Sequence, residues 1–138
     1  RLMAARPAEL QALDRTREEN PAWFCAPTML GYSAYVDRFG GDLAGVARRI
    51  PHLRDLGVTY LHLLPFLKPR EGESDGGFAV ASFDEVDPRL GTMADLEALA
   101  AQLRAAGISL CSDLILNHVA DDHPWAIGAR WGAGPGRP

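Results

Sequence analysis

Three short, nearly unbroken apolar runs constrain this chain more than any other feature: Met29–Val36, Val58–Leu64 and Ile108–Leu114. A strand with one wet face alternates apolar and polar residues, whereas a run apolar throughout needs cover on both faces, as in a parallel sheet flanked by helices. Parallel strands also need long crossovers, and the intervening segments carry helical periodicity. In the first, Gly40-Gly41 breaks the chain and Asp42 can cap a helix bearing Leu43, Val46, Ala47, Ile50, Leu53 and Leu56, with Gly57 as its stop. Pro51 falls inside that pattern and predicts a kink or a restart. In the second, Thr92 and Asp95 form a capping-box start for a helix with Leu96, Leu99, Leu103 and Ala106, stopped by Gly107. A further helix is expected over Leu2–Arg17, closed by Asn20-Pro21. The 28 residues Pro65–Thr92 show little regular pattern, and the tail Gly128–Pro138 is too rich in Gly and Pro to be a strand. The order helix, then strand–helix–strand–helix–strand, gives an α/β fold on a parallel sheet.

Composition narrows the function classes. A chain of 138 residues, 47% apolar and 23% charged, supports one soluble core. A net charge of −4 without a basic cluster excludes a nucleic-acid partner, which needs a positive stripe. No apolar run approaches the roughly 18 residues of a membrane span, so no membrane partner is expected. Cys25 and Cys111 lie far apart, which excludes a disulfide scaffold and a cysteine zinc site and points to a reducing, cytoplasmic setting. Arg1 rather than Met opens the sequence, which reads as a piece of a longer protein.

In parallel α/β sheets, sites form at the C-terminal strand ends. Three polar clusters are expected there on one rim: Asp37-Arg38, Ser74-Asp75-Gly76-Gly77-Phe78, and Asn117-His118. The acid and aromatic beside paired glycines suit a ligand loop, though the same residues also suit a plain turn. Asp113 ends an apolar strand, where a charge must be paired; it reads either as an active-site carboxylate or as a structural acid anchoring loops. His118 reads either as a site imidazole or as a surface one. His118 and His123, with Asp121 and Asp122 between them, match no strong ligand spacing, so no metal is expected. His52 and His62 are expected to be packed or surface residues. The turn Phe39–Gly45 lacks the phosphate-loop pattern, and Asp42 would repel a phosphate.

Four segments together resemble a known family: Tyr35-Val36-Asp37-Arg38-Phe39, Leu56–Pro65, Ser74–Val80 and Asp113-Leu114-Ile115-Leu116-Asn117-His118. The last string resembles the α-amylase family, glycoside hydrolase family 13. Adding the Ser-Asp-Gly-Gly segment and Pro88–Met93 brings the resemblance to its sucrose-acting amylosucrase branch. The resemblance implies a partial (β/α)8 TIM barrel, its first three strands and two helices, preceded by an N-terminal helix. Residues 1–27 would end a helical N-terminal domain, 28–127 would open the barrel, and 128–138 would be a tail outside the family pattern. By position, Asp75 matches an acid that binds glucosyl hydroxyls, and Phe78 matches a stacking aromatic, usually Tyr. His118 matches the histidine that contacts the primary hydroxyl and supports the transition state. Asp113 and Asn117 match residues that hold the loop architecture. The implied parent is a retaining glucosyltransferase that cleaves sucrose and passes glucose to an α-glucan acceptor, without cofactors. A sucrose hydrolase and a non-catalytic sugar-binding half-barrel are the alternatives. No residue here matches the family's nucleophile or acid/base carboxylates, which follow later strands, so the chain alone is expected to be inactive. Its open strand edges predict self-association.

Overall fold

The computed structural model describes residues 5–73 and 75–131, and the chain divides after Leu30 into two compact units. In the first, helix α1 spans Ala8–Glu19 and a 3₁₀ turn spans Trp23–Cys25. Pro7 occupies the N-cap, so the helix starts later than Leu2; Leu2–Ala4 lie outside the described residues. Arg6 Nε pairs with Asp14 at 3.0 Å, and the Arg17 guanidinium lies 4.0 Å from the Trp23 ring centre.

The second unit carries the expected sheet. Strands β1 (Gly31–Ala34), β2 (Tyr60–Leu63) and β5 (Ser109–Ser112) pair in parallel in that order, with Ser33 opposite His62 and His62 opposite Cys111. The first strand is shorter than its apolar run. Residues Val36–Phe39 turn into a short helix, α2, which buries Val36 while exposing Asp37 and Arg38. The crossover helix breaks in two, α3 (Leu43–Arg48) and α4 (Ile50–Asp55), with Pro51 in the first turn of α4. Proline has no N–H to donate, and a helix start needs none there. Asp42 caps α3 by accepting from the Gly45 N–H. A Cβ on Gly45 would collide with the Gly40 carbonyl, so only glycine lets these two backbone segments meet.

Residues 65–92 correct the expectation of an irregular loop. They hold a two-stranded antiparallel sheet, β3 (Leu67–Pro69) against β4 (Val80–Val86), with irregular register. Lys68, Pro69, Asp84 and Glu85 broke the apolar pattern, because this small sheet is partly solvated; Lys68 Nζ pairs with Glu85 at 2.8 Å. Helix α5 (Met93–Ala105) follows with the capping box intact, and α6 spans Pro124–Trp131. The remainder of the tail, 132–138, lies outside the described residues. Among the described residues no helix is long and apolar enough to cross a membrane.

The core fills the space between the sheet and the helices. Leu61 and Leu63 of β2 are fully buried with Leu43, Leu53 and Leu103, and Leu99 is nearly so. Side chains alternate along a strand, so Tyr60 and His62 occupy the opposite, half-buried face. Asp87 closes the turn after β4. It is buried, its carboxylate accepts from the Arg89 backbone and guanidinium, and its N–H donates to Phe66 O at 2.9 Å. The Arg89 hydrogen bond holds the Asp87 carboxyl below its ordinary pKa, against burial.

Leu61→Ala is expected to cost about 2–5 kcal/mol in urea unfolding, as for other fully buried leucines. A second expectation concerns acid. A carboxyl whose pKa is lowered by folding stabilises the fold above its unfolded value, about 3.9, and loses that contribution as pH falls through the lower folded value. Arg89→Ala removes the partner, so acid unfolding followed by circular dichroism should move to higher pH than in the wild type.

Candidate functional site

The loop between β3 and β4 is tied at its neck, where Arg70 N–H donates to Ala79 O at 2.9 Å. Within it Gly76 and Gly77 take φ of +85° and +87°, a region open to glycine. A Cβ on Gly77 would stand 3.0 Å from the Pro65 carbonyl oxygen. The reversed chain folds the Asp75 carboxylate back onto backbone N–H groups. Burial raises its pKa, but hydrogen bonds from Ala79, its own N–H and Phe78, together with the Arg70 charge, bring the net value below the ordinary one. Asp75 is therefore an anion fixed by the backbone, and Phe78 stands beside it with 36% of its surface exposed. Ser74 lies outside the described residues.

This loop leans on the segment after β1: the Cβ position of Gly76 is 3.1 Å from the Tyr35 hydroxyl. Together they border an open cavity of about 640 Å³ whose walls include Tyr35, Asp37, Arg38, Gly76, Gly77 and Arg89. Two of the three expected clusters thus meet. The third does not line that cavity. Asn117 and His118 are exposed on the segment after β5, which Ala120 N–H fastens to Val80 O at 2.9 Å.

Asp113 has the partner its position demanded. His62 Nε2 lies 3.0 Å from Asp113 Oδ1, and His62 Nδ1 lies 3.0 Å from Ser33 Oγ. His62 is half-buried, within the expectation of a packed or surface residue, and these two bonds add a link from β1 through β2 to the residue that follows β5. A signal was available, since Ser33, His62 and Asp113 are polar residues inside or ending apolar runs, where each requires a partner.

His123, the other histidine of that segment, is buried, and its Nδ1 accepts the Trp125 N–H at 3.1 Å, which caps α6. Its ring centre lies 4.8 Å from that of Trp125 and 5.8 Å from that of Phe83. This cluster is a feature the sequence pattern does not announce. Among the described residues no three His, Cys, Asp or Glu groups converge to hold a metal.

The description "Alpha amylase, catalytic domain" matches residues 12–133. Palatinase of Erwinia rhapontici is 37% identical over 89 residues, 64% of this chain and 16% of that protein. A solved family GH13_31 enzyme superposes with a TM-score of 0.72 at 35% identity, over 78% of this chain and 21% of that one. A variant of MutB in complex with its substrate sucrose superposes with a TM-score of 0.68 at 28% identity, over 76% and 20%; MutB is the trehalulose synthase of Pseudomonas mesoacidophila. The chain therefore spans about a sixth to a fifth of the length of these relatives. Its parallel strands and covering helices match the opening of their barrel fold. With nearly its whole length matched, the chain belongs to the α-amylase family and carries part of that family's catalytic domain.

Proposed function

We propose that this chain is the opening segment of a retaining, sucrose-cleaving glucosyltransferase of the amylosucrase kind. The observation that carries the reading is the Asp75 loop: a carboxylate kept ionised by backbone N–H groups, an exposed aromatic face at Phe78, and a cavity lined by Gly76 and Gly77 between them in the chain. A glucosyl ring offers an apolar face to an aromatic and hydroxyl hydrogens to a carboxylate, so this pairing suits a sugar. Asp75 accepts from the ring hydroxyls and Phe78 covers the ring, with one hydroxyl fewer than the family's usual Tyr. His118 contacts the primary hydroxyl and supports the transition state. Asp113 and Asn117 hold the loop that carries it. MutB, which takes sucrose as its substrate, supports the choice of substrate.

In the complete enzyme a carboxylate from a later strand attacks the anomeric carbon as a second carboxylic acid protonates the leaving fructosyl oxygen. This yields a β-glucosyl–enzyme intermediate, with the two carboxyl groups about 5 Å apart. An α-glucan hydroxyl then takes the glucosyl group while the second residue, now a base, removes its proton. Water in the acceptor role makes the same protein a sucrose hydrolase. A second reading follows from the resemblance to a trehalulose synthase: fructose recaptured in a new orientation makes the protein a sucrose isomerase. A sugar-binding module without turnover is the remaining alternative.

The full-length protein incubated with sucrose separates these readings by product chromatography. Fructose in excess of free glucose, with growing α-glucan, is expected. Equal glucose and fructose would replace the transferase by the hydrolase, a new glucose–fructose disaccharide by the isomerase, and untouched sucrose would overturn the reading. Asp75→Ala should lower kcat/KM about 10- to 100-fold, the range for losing hydrogen bonds to a charged group. Because the Asp75 carboxyl lies below its ordinary pKa, its contribution to sugar binding should hold from neutral pH down to about pH 4 and fail only below that. A binding titration against pH reads this directly.

A further inference from the structure

The geometry points to His62 as a positioning residue that, set by Ser33, holds the Asp113 carboxylate and through it the segment bearing His118. This rests on the reading of His118 as a sugar contact.

Direction follows from chemistry. An ionised carboxylate only accepts, so His62 Nε2 carries the hydrogen bonded to Asp113 Oδ1 at 3.0 Å. In the neutral imidazole Nδ1 is then bare and accepts the Ser33 hydroxyl, also at 3.0 Å. With the imidazole neutral, the hydrogen bonds run one way, Ser33 to His62 to Asp113. A serine at this position selects the tautomer that Asp113 requires.

The sheet makes the alignment possible. Ser33 and His62 are register partners in the β1–β2 ladder, and His62 is opposite Cys111 in the β2–β5 ladder. Asp113 lies two residues beyond Cys111 and so returns to the same face, diagonally ahead of His62 towards the C-terminal rim. That face is opposite to the one where Leu61 and Leu63 are buried against the helices. Asp113 is bonded to His62 where the segment leaves the sheet towards Asn117 and His118, and Ile115 is buried on the way. The segment's far end is fixed at Ala120, whose N–H bonds Val80. The segment from Asp113 to Ala120 is thus tied by hydrogen bonds at both ends, with Ile115 buried between them, and His62 supplies the tie at the sheet.

The test uses the full-length protein with His62→Phe, His62→Gln, Asp113→Asn and the Phe/Asn double variant. Phenylalanine keeps a ring and removes both hydrogen bonds; glutamine restores a donor towards Asp113. Turnover of sucrose should show kcat about 100-fold lower in His62→Phe, as expected when a remote change misplaces a site group, with KM little altered. His62→Gln should recover most of the loss. The double variant should be no slower than the slower single variant, since both break one linkage. Losses that multiply in the double variant, or a lowered melting temperature with unchanged kcat, would overturn the inference. A separate arm needs no turnover: in nitrogen-15 spectra His62 should carry its proton on Nε2, and the His118 ring resonances should move in His62→Phe. Unmoved His118 resonances overturn the positioning role even in an active enzyme. If wild-type protein leaves sucrose untouched, the functional reading fails, while moved His118 resonances still uphold the linkage and unmoved ones overturn it.

Discussion

The parallel register of β1, β2 and β5 is the constraint on which the rest depends. It is set by burial, because a slip of one residue would exchange the faces of β2, placing His62 among the helices and Leu61 and Leu63 outside. Two leucines that are fully excluded from water, packed with Leu43, Leu53, Leu99 and Leu103, make that exchange far costlier than any single polar contact could offset. Polar groups on the other face therefore inherit their alignment from an apolar decision made behind them. Ser33, His62 and Asp113 come into line because the core admits only one pairing.

The legible part of the fold is the part governed by periodicity. The three apolar runs, the split at Pro51 and the Thr92–Asp95 box all follow from strong local rules, and the structure carries each of them. The hairpin β3–β4 follows weaker ones. Strand β3 is only three residues long, the middle of β4 is partly solvated, and the register is irregular, with a proline and an ion pair where an apolar alternation would have announced the pair. The turn α2 hid in the same way, since Tyr35-Val36 continues an apolar run while the backbone has already left the strand.

The site was legible by type more than by arrangement. A charge at the end of an apolar run announces a partner without naming it, and Asp113 found His62 51 positions earlier in the chain. His62, a polar residue inside an apolar run, makes an equally clear demand, although its position alone fits either a packed or a surface residue. Asp75 and Phe78 stand where the loop after the second parallel strand puts them, against Tyr35. His118 stands on a different segment, exposed, so proximity on one rim did not by itself create one cavity.

Residues Ala79 and Val80 hold a junction with a wider meaning. Ala79 O receives the N–H of Arg70, closing the neck of the Asp75 loop, and the adjacent Val80 O receives the N–H of Ala120 beyond His118. One peptide neighbourhood thus moors two segments that are far apart in sequence, the Asp75 loop and the stretch bearing His118. Inside its moored ends the Asp75 loop is pinned again at Gly77, which the Pro65 carbonyl leaves no room to enlarge. A displacement of β4 would therefore carry both segments with it. Their mutual placement is set by a single strand end.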